Sequence, residues 1–233
     1  MLEVKGLNAS YGDSQILNGI DIKISKGQGV ALLGRNGAGK TTLLKSIVGG
    51  GPRVDGRISF LGQDLSELAT HERARAGLAL VPEDRRIFSH LTVEENLLFA
   101  RHASGEEGAL PISEIYRLFT ALGELRARMG NQLSGGQQQI LAVARGLMSR
   151  PKCMLLDEPT EGVAPLLVKQ MAEQIINARR QQGAALLLAE QNLWFSRECT
   201  EYVYVIDTGR IVFQGDWSAF DAHPEIADRY LAV

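Results

Sequence analysis

The residues best suited to chemistry lie in a glycine-rich loop at positions 34–42, which ends in a lysine and two threonines. The loop fits the phosphate-binding pattern G-x-x-x-x-G-K-[ST] without a gap. An apolar run at 30–33 precedes it and an amphipathic stretch follows it, so a strand should enter the loop and a helix should leave it. We therefore expect backbone N–H groups and the helix N-terminus to hold phosphate oxygens. A glycine-rich turn without a ligand is the alternative.

Two side chains of this loop have specific expected roles, and both point to a magnesium nucleotide such as ATP. Lys40 can reach the β- and γ-phosphates, which makes it a candidate catalytic residue, and the Thr41 hydroxyl can ligate Mg²⁺. The full expected phosphate-binding set is Gly34, Arg35, Asn36, Gly37, Ala38, Gly39, Lys40, Thr41 and Thr42.

Two adjacent carboxylates, Asp157 and Glu158, end a second apolar run and precede a proline. A strand that ends there directs Asp157 to the edge of the sheet where ligands bind, so this carboxylate is a candidate to hold Mg²⁺ through water. Glu158 faces another direction and is a candidate general base that polarises the attacking water. The alternative is that the two acids only cap a helix or solvate the end of a strand.

A second anion-binding helix start is predicted at Ser134, Gly135, Gly136 and Gln137. Serine is a favourable N-cap, and the two glycines leave the backbone N–H groups uncovered by side chains. The residues at 140–148 then place apolar side chains on one helical face. Taken alone, the segment is also explained by an ordinary capped helix.

The elements that would position these residues indicate an α/β core. Continuous apolar runs are typical of central parallel strands covered on both faces, and they occur at 30–33, 78–81, 154–156 and 185–188. The first sixty residues alternate instead, as at Ile20, Ile22 and Ile24, which favours antiparallel strands. A further strand is expected after a turn at Asp55–Gly56, and residues 203–213 predict a closing hairpin.

The middle of the chain, 85–150, differs from both ends. It lacks apolar strand runs, and Ile115, Leu118, Phe119 and Leu122 recur at helical spacing. An exposed loop is expected at 105–108. We interpret 85–150 as a helical subdomain inserted into a core made of 1–84 and 151–233.

Charge, cysteine content and apolar run lengths argue against several classes of protein. The formal net charge of −2 argues against a chain built mainly to hold nucleic acid. Cys153 and Cys199 form no disulfide framework and indicate reduced, cytosolic thiols. No apolar run approaches the roughly 18 to 20 residues that span a bilayer.

The three segments, in this order and at these separations, resemble the ATP-binding cassette (ABC) ATPases over nearly the whole chain. The resemblance implies an α/β fold: a phosphate-loop NTPase core (RecA-like) with an N-terminal antiparallel β-subdomain and an inserted helical subdomain. It also implies a head-to-tail dimer, in which each ATP lies between one subunit's phosphate loop and the other subunit's Ser134–Gln137 segment.

The same resemblance assigns roles to single residues and exposes departures from the family pattern. Tyr11 stands where an aromatic ring stacks on adenine, with a buried core tyrosine as the alternative. Glu83 stands where most members have a glutamine that senses Mg²⁺ and the γ-phosphate, and a carboxylate there can still ligate the metal. Gln191 replaces a histidine that contacts the γ-phosphate, and Ala164 replaces an aspartate that bridges the dimer. These departures predict normal nucleotide binding but slow hydrolysis.

Residues 81–88, 91–97, 161–165 and 189–192 resemble one of the two ATPases of branched-chain amino-acid importers. Urea and short-amide importers have near-identical ATPases and are an alternative, as is a DNA-associated ABC ATPase from another class. The resemblance implies a second ABC ATPase subunit (in a homo- or heterodimer), two membrane permease subunits, an indirect periplasmic or extracellular solute-binding protein, and no nucleic acid. It implies a peripheral location on the cytoplasmic face of the inner (plasma) membrane.

Overall fold

A computed structural model describes residues 1–104 and 108–231 of the chain. Its strands are β1 (Leu2–Tyr11), β2 (Ser14–Ile24), β3 (Gly29–Leu33), β4 (Arg53–Phe60), β5 (Gln63–Asp64), β6 (Leu78–Val81), β7 (Cys153–Asp157), β8 (Ala185–Glu190), β9 (Tyr202–Asp207) and β10 (Arg210–Asp216). Its helices are α1 (Lys40–Val48), α2 (Thr70–Ala76), α3 (Val93–Ala103), α4 (Ile112–Leu118), α5 (Thr120–Glu124), α6 (Gly135–Met148), α7 (Pro165–Gln182), α8 (Leu193–Cys199), α9 (Trp217–Asp221) and α10 (Pro224–Tyr230). The expected loop at 105–108 lies outside the described residues except for Gly108, which is exposed.

The N-terminal strands form a four-stranded antiparallel sheet in the order β2-β1-β4-β5, as the alternating pattern predicts. The turn predicted at Asp55–Gly56 is wrong, because β4 runs through both residues. Gly56 has φ 115°, and Gly6 and Leu7 of β1 lie opposite it as a β-bulge, because the register passes from Lys5–Arg57 to Asn8–Asp55. A Cβ at this position would lie 2.7 Å from the Gly6 carbonyl oxygen, which explains why glycine is needed there.

The second sheet has six strands in the order β10-β9-β3-β8-β7-β6, and every pair except β10–β9 is parallel. The four predicted apolar runs are its strands β3, β6, β7 and β8, and the last residues of β3, β7 and β8 pack side by side. Ligands of open α/β sheets bind at the carboxyl ends of such strands. This edge therefore brings together the phosphate loop after β3, the carboxylates at the end of β7 and the segment after β8.

The middle of the chain is helical in its described residues, as predicted, with α3 to α6 and a 3₁₀ turn at Gly130–Gln132. The helical spacing at 115–122 belongs to two helices rather than one. α4 ends at Leu118, Phe119 leaves the helical conformation (φ −123°, ψ 71°), and α5 begins at Thr120. The Phe119 side chain is fully buried, so the bend lets it and Leu122 both reach the core beneath α6.

The closing hairpin is confirmed as β9 and β10, and its two-residue turn has positive φ at both Thr208 (46°) and Gly209 (72°), a combination that suits the twist of paired strands. Cys153 and Cys199 are free and buried, and burial raises the pKa of each thiol to about 12. In the described part of the chain, no helix combines the length and apolar character needed to cross a membrane.

Candidate active site

The phosphate loop joins β3 to α1, and its path requires glycine at specific points. A Cβ on Gly34 would lie 2.4 Å from the Ile206 carbonyl oxygen, so a side chain is sterically excluded. Gly37 and Gly39 have φ of 80° and 113°, which residues with side chains rarely adopt. Because these positions carry no side chain, a phosphate can approach the backbone at the N-terminus of α1.

Lys40, the first residue of α1, is buried and fully engaged inside the protein. Its ammonium donates to the carbonyl oxygens of Gly34 (2.6 Å) and Arg35 (3.0 Å) and forms an ion pair with Glu158 Oε1 (3.0 Å). An ammonium has three N–H donors, so these three acceptors use all of them. The structure thus brings the predicted phosphate-binding cation into direct contact with the predicted base.

Asp157 ends β7 beside the next residue of α1. The Thr41 hydroxyl donates to Asp157 Oδ1 over 3.1 Å, so the two predicted Mg²⁺ ligands lie together. Burial raises the pKa of Asp157 to about 6, and the charges of Glu158 and Glu83 act in the same direction while the Thr41 hydrogen bond opposes them. A hydroxyl and a buried carboxylate are oxygen ligands of the kind that Mg²⁺ takes.

Glu158 lies where the chain turns sharply away from β7. Its φ is 45°, and its N–H donates to the Ala189 carbonyl oxygen over 2.9 Å. Positive φ is uncommon for a residue with a side chain and carries strain of about 1 to 3 kcal/mol, which recurs at functional positions. The turn directs the carboxylate between Lys40 on one oxygen and Gln191 on the other.

Gln191 follows β8 and connects the predicted base to the phosphate loop. Its Nε2 donates to Glu158 Oε2 (3.0 Å) and to Asn36 Oδ1 (2.7 Å). A neutral amide can make both bonds at once without adding charge to the site. Three segments that are far apart in the sequence therefore meet at one carboxylate.

These groups surround a cavity of about 390 Å³. Its lining is Ile16, Asn36, Gly37, Gly39, Lys40, Thr41, Thr42, Glu83, Glu158 and Glu161. Glu83, predicted to sense the metal and the γ-phosphate, contributes a carboxylate to this wall. Burial raises the pKa of Glu83, and the nearby charges of Glu161 and Glu158 raise it further. Sequence reasoning did not single out Glu161, which is three residues after the base and adds a further negative charge.

Two predicted parts of the site lie apart from this cavity. Tyr11 is 43% exposed, which excludes the buried core alternative, and it lines a separate groove of about 640 Å³ beside Lys45. Ser134 caps α6 as predicted: its Oγ accepts from the Gln137 N–H (3.3 Å), and Gln137 Oε1 accepts from the Ser134 N–H (2.9 Å). A Cβ on Gly136 would lie 2.6 Å from the end of the Leu167 side chain, so a larger residue there would require Leu167 to shift. A role of this segment at a nucleotide requires a second subunit.

Glu190, the last residue of β8, is a buried carboxylate that sequence reasoning missed. The Glu190 carboxylate accepts hydrogen bonds from Thr160, in the loop after Glu158, and from the N–H groups of Gln191 and Asn192, which directly follow Glu190. An acidic residue that ends an apolar run, the same signal that identified Asp157, was present in the sequence. What the sequence lacks is any sign of its partner Thr160, which is thirty residues away.

Comparison with known proteins gives a consistent set of similarities. The family model described as "ABC transporter" matches residues 17–161. The chain is 38% identical over 232 residues to the high-affinity branched-chain amino acid transport ATP-binding protein BraG of Pseudomonas aeruginosa, covering 99% of each chain. It is 35% identical to the probable branched-chain amino acid transport ATP-binding protein LivF of Archaeoglobus fulgidus, with 92% of each covered.

Other relatives have different cargo. The lipopolysaccharide export system ATP-binding protein LptB of Escherichia coli K12 is 34% identical, with 92% of this chain and 90% of that protein covered. Among solved structures, the ATP-binding subunit of an ABC transporter superposes with a TM-score of 0.81 at 28% identity, over 98% of this chain and 94% of that one.

Proposed function

Because the chain belongs to the ABC transporter family of ATP-binding proteins and is an ATPase, we propose that its hydrolysis of ATP powers an importer of branched-chain amino acids. The cargo is supported by BraG and LivF, which are similar over nearly their whole length. The chemistry is supported by one observation above all: the Glu158 carboxylate is held between the Lys40 ammonium and the Gln191 amide at the carboxyl edge of the parallel sheet.

In the proposed reaction, the phosphate loop binds the triphosphate through its backbone N–H groups and Lys40. ATP takes over the Lys40 donor that Glu158 occupies in this structure. The freed carboxylate accepts a proton from the attacking water, and Gln191 keeps hold of its other oxygen. Tyr11 supplies a ring for the adenine.

The residues present also fit Mg²⁺. Thr41 and Asp157 would hold the ion, with Glu83 as a further oxygen ligand on the same cavity wall. Bound there, the ion neutralises charge that develops on the phosphates. This fit rests on the Thr41 hydroxyl lying next to the Asp157 carboxylate. Burial raises the pKa of Asp157 to about 6, so a nearby cation would stabilise its ionised form.

We further propose that the working form is a dimer with a second ABC ATPase subunit. The start of α6, residues 134–137, then meets the nucleotide held by the other subunit. Ser134 is exposed, Ser134 and Gln137 are fixed by their reciprocal capping bonds, and the half-buried Gly135 leaves its backbone uncovered by a side chain. Within this chain the segment does not line the Lys40 cavity, which is why a partner is required.

The surface for two membrane permease subunits is proposed to lie on the helical region 85–150, beside the Glu83 loop. Phe88 and Phe99 are 37% and 52% exposed and pack edge to face with ring centres 4.7 Å apart. Arg145 lies over the Phe88 ring, 4.6 Å from its centre, so the apolar pair is bordered by positive charge. Docked there, the chain is a peripheral protein of the inner face of the plasma membrane, and a solute-binding protein acts through the permeases.

The test is transport by a strain that lacks the gene, measured with radiolabelled leucine, isoleucine and valine, and with urea and acetamide. Loss of amino-acid uptake alone, restored by the parental gene but not by Glu158→Gln, supports the proposal. Loss of urea or amide uptake would assign the alternative cargo instead. Unchanged uptake of all five, together with a defect in the outer envelope, would favour an export role like that named for LptB.

A further inference from the structure

We propose that Glu190 is a positioning residue for ATP hydrolysis: it holds the loop that follows Glu158 and the loop that carries Gln191 at a fixed separation. The inference rests on the ATPase reaction and on the proposed role of Glu158 as base, but not on the transported cargo. It assigns a reaction-specific task to a side chain that does not itself line the cavity.

The two oxygens of Glu190 bind two different loops. Oε1 accepts from the Thr160 N–H (2.9 Å) and from the Thr160 hydroxyl (2.6 Å). Oε2 accepts from the N–H groups of Gln191 (2.9 Å) and Asn192 (3.0 Å). An ionised carboxylate offers about four lone-pair sites, so these four donors satisfy it completely without a cation.

The burial of this carboxylate gives the arrangement its stiffness. Glu190 is only 2% exposed. A buried charge is tolerated only when it is fully hydrogen-bonded, and bonds to charged acceptors are the stronger ones. Either loop can therefore move away only by breaking two charge-assisted bonds in a place that water does not easily reach.

The bonds of Glu190 to Thr160 and Gln191, together with the bond from Gln191 to Glu158, form a ring of contacts that contains the proposed base. Thr160 is two residues after Glu158, Gln191 directly follows Glu190, and the Gln191 amide donates to Glu158 Oε2 over 3.0 Å. The ring runs from Glu190 through Thr160 to Glu158, across to Gln191 and back. Glu190 thus sets where the Gln191 amide meets the carboxylate that must face the attacking water.

A purely structural role is the competing explanation, because Glu190 also ends a central strand. The two explanations differ in what they leave intact. The phosphate loop joins β3 to α1, whereas the four hydrogen bonds of Glu190 reach Thr160, Gln191 and Asn192. A positioning role therefore lowers kcat and spares ATP affinity. If the role is purely structural, the variant loses thermal stability, and its kcat and its affinity for ATP fall together.

The main variant is Glu190→Gln in the full chain, assembled with its partner subunits. It keeps the size of the side chain but places an NH₂ group against N–H donors at one of the two loops. We expect kcat to fall about 10-fold to 100-fold, since a misplacement of about 1 Å at a reacting group costs on that order. The Kd for ATP, measured by equilibrium binding, should change less than about 3-fold on the same argument.

Two further variants keep the test decisive if Glu190→Gln folds poorly. Thr160→Val removes one of the four bonds, that of the hydroxyl, and leaves the Thr160 N–H in place; it should lower kcat by less than Glu190→Gln does, with ATP affinity unchanged. Glu201→Gln is the control at the opposite end of the sheet, where an exposed carboxylate accepts the backbone N–H of Gly29 (2.6 Å) and pairs with Arg179. This control should lower thermal stability without a selective loss of kcat.

A double-mutant cycle with Gln191→Ala separates positioning from an independent effect. If Glu190 acts through Gln191 and Glu158, Glu190→Gln should cost little further rate once Gln191 is gone. If the double variant loses kcat by the product of the two single-variant losses, the proposal is overturned. A parental kcat in both Glu190→Gln and Thr160→Val would also overturn it. A parental chain that fails to hydrolyse ATP in the assembled complex would instead contradict the proposed function, so the two failures are distinguishable.

Discussion

At the scale of single residues, the site is held together by contacts among buried charged and polar groups. Lys40 binds two loop carbonyls and Glu158, and Glu158 binds Lys40 and Gln191. Both partners of the ion pair are buried, and a buried charge left without its partner is costly. The behaviour of substitutions at Lys40 and Glu158 therefore depends on which oxygen or nitrogen each one leaves unpaired.

Lys40→Ala should weaken ATP binding by about 100-fold or more, since charge-assisted bonds to the β- and γ-phosphates contribute roughly 3 kcal/mol. Equilibrium binding of a fluorescent ATP analogue measures this loss, and a circular-dichroism spectrum shows that the fold is kept. Lys169→Ala is the control, because Lys169 lies exposed on α7. Unchanged affinity in Lys40→Ala, with a normal spectrum, contradicts the assignment of the phosphate loop.

Glu158→Gln should slow hydrolysis by roughly 10²-fold to 10⁴-fold, because an amide of the same shape cannot accept the proton of the water. ATP should still bind and accumulate in a stable dimer, seen as a doubled mass by light scattering. The exposed Glu173 on α7 offers the control substitution Glu173→Gln. Hydrolysis at the parental rate in the assembled complex would remove Glu158 from the role of base.

The residue types of the site were predictable from the sequence, but the contacts between them were not. The loop 34–42 and the pair Asp157–Glu158 can be recognised in the sequence because each is a short, contiguous pattern next to an apolar run. The bond from Gln191 to Asn36 joins residues 155 positions apart, and the bonds from Glu190 reach Thr160 across thirty. Such contacts depend on which strands become neighbours, which local periodicity does not encode.

At the scale of elements, two helix starts share the same capping chemistry. Thr92 caps α3 and Ser134 caps α6, and each forms a capping box in which the cap oxygen accepts an N–H three residues on. Both caps satisfy backbone donors that would otherwise lack a partner. Only the start of α6 is proposed to contact a nucleotide, so the two caps form a matched pair.

Thr92→Ala and Ser134→Ala should each lower the free energy of unfolding by about 1 kcal/mol, measured by urea titration, because each removes one N-cap acceptor. Only Ser134→Ala should also lower the ATPase rate of the dimer. Equal rates in the two variants would show that the start of α6 is an ordinary capped helix.

The strands of the core were predictable, and the irregular points were not. Apolar runs identify β3, β6, β7 and β8 because central parallel strands are buried on both faces. Asp55–Gly56 has the composition of a turn, yet pairing with β1 keeps the strand going opposite a bulge in β1. The break at Phe119 interrupts a spacing that fits one continuous helix, so local periodicity does not reveal it.

At the scale of the whole molecule, the acidic side chains of the cavity motivate the proposed partnership. Glu83 and Glu161 contribute two carboxyl groups to the cavity wall, Gln191 is a neutral amide, and Ala164 has no polar group with which to bridge to another subunit. In the proposed dimer, groups from the second subunit would complete this site.

The isolated chain should bind MgATP, hydrolyse it slowly and dimerise poorly without ATP. Addition of the second cassette and the membrane subunits should raise the rate per site several-fold or more. Steady-state ATPase assays on the purified chain and on the reconstituted transporter make the comparison. Equal turnover in both, with a stable ATP-bound homodimer in light scattering, would show that the chain is self-sufficient.

The saturated ammonium of Lys40 has a kinetic meaning. Two carbonyls and one carboxylate match its three donors, so in the proposed mechanism Glu158 competes with the γ-phosphate as a tethered competitive inhibitor. The apparent dissociation constant for ATP would then equal the intrinsic constant divided by the fraction of molecules in which the tether is open. The same competition would restrain the proposed base until the triphosphate displaces its carboxylate from Lys40.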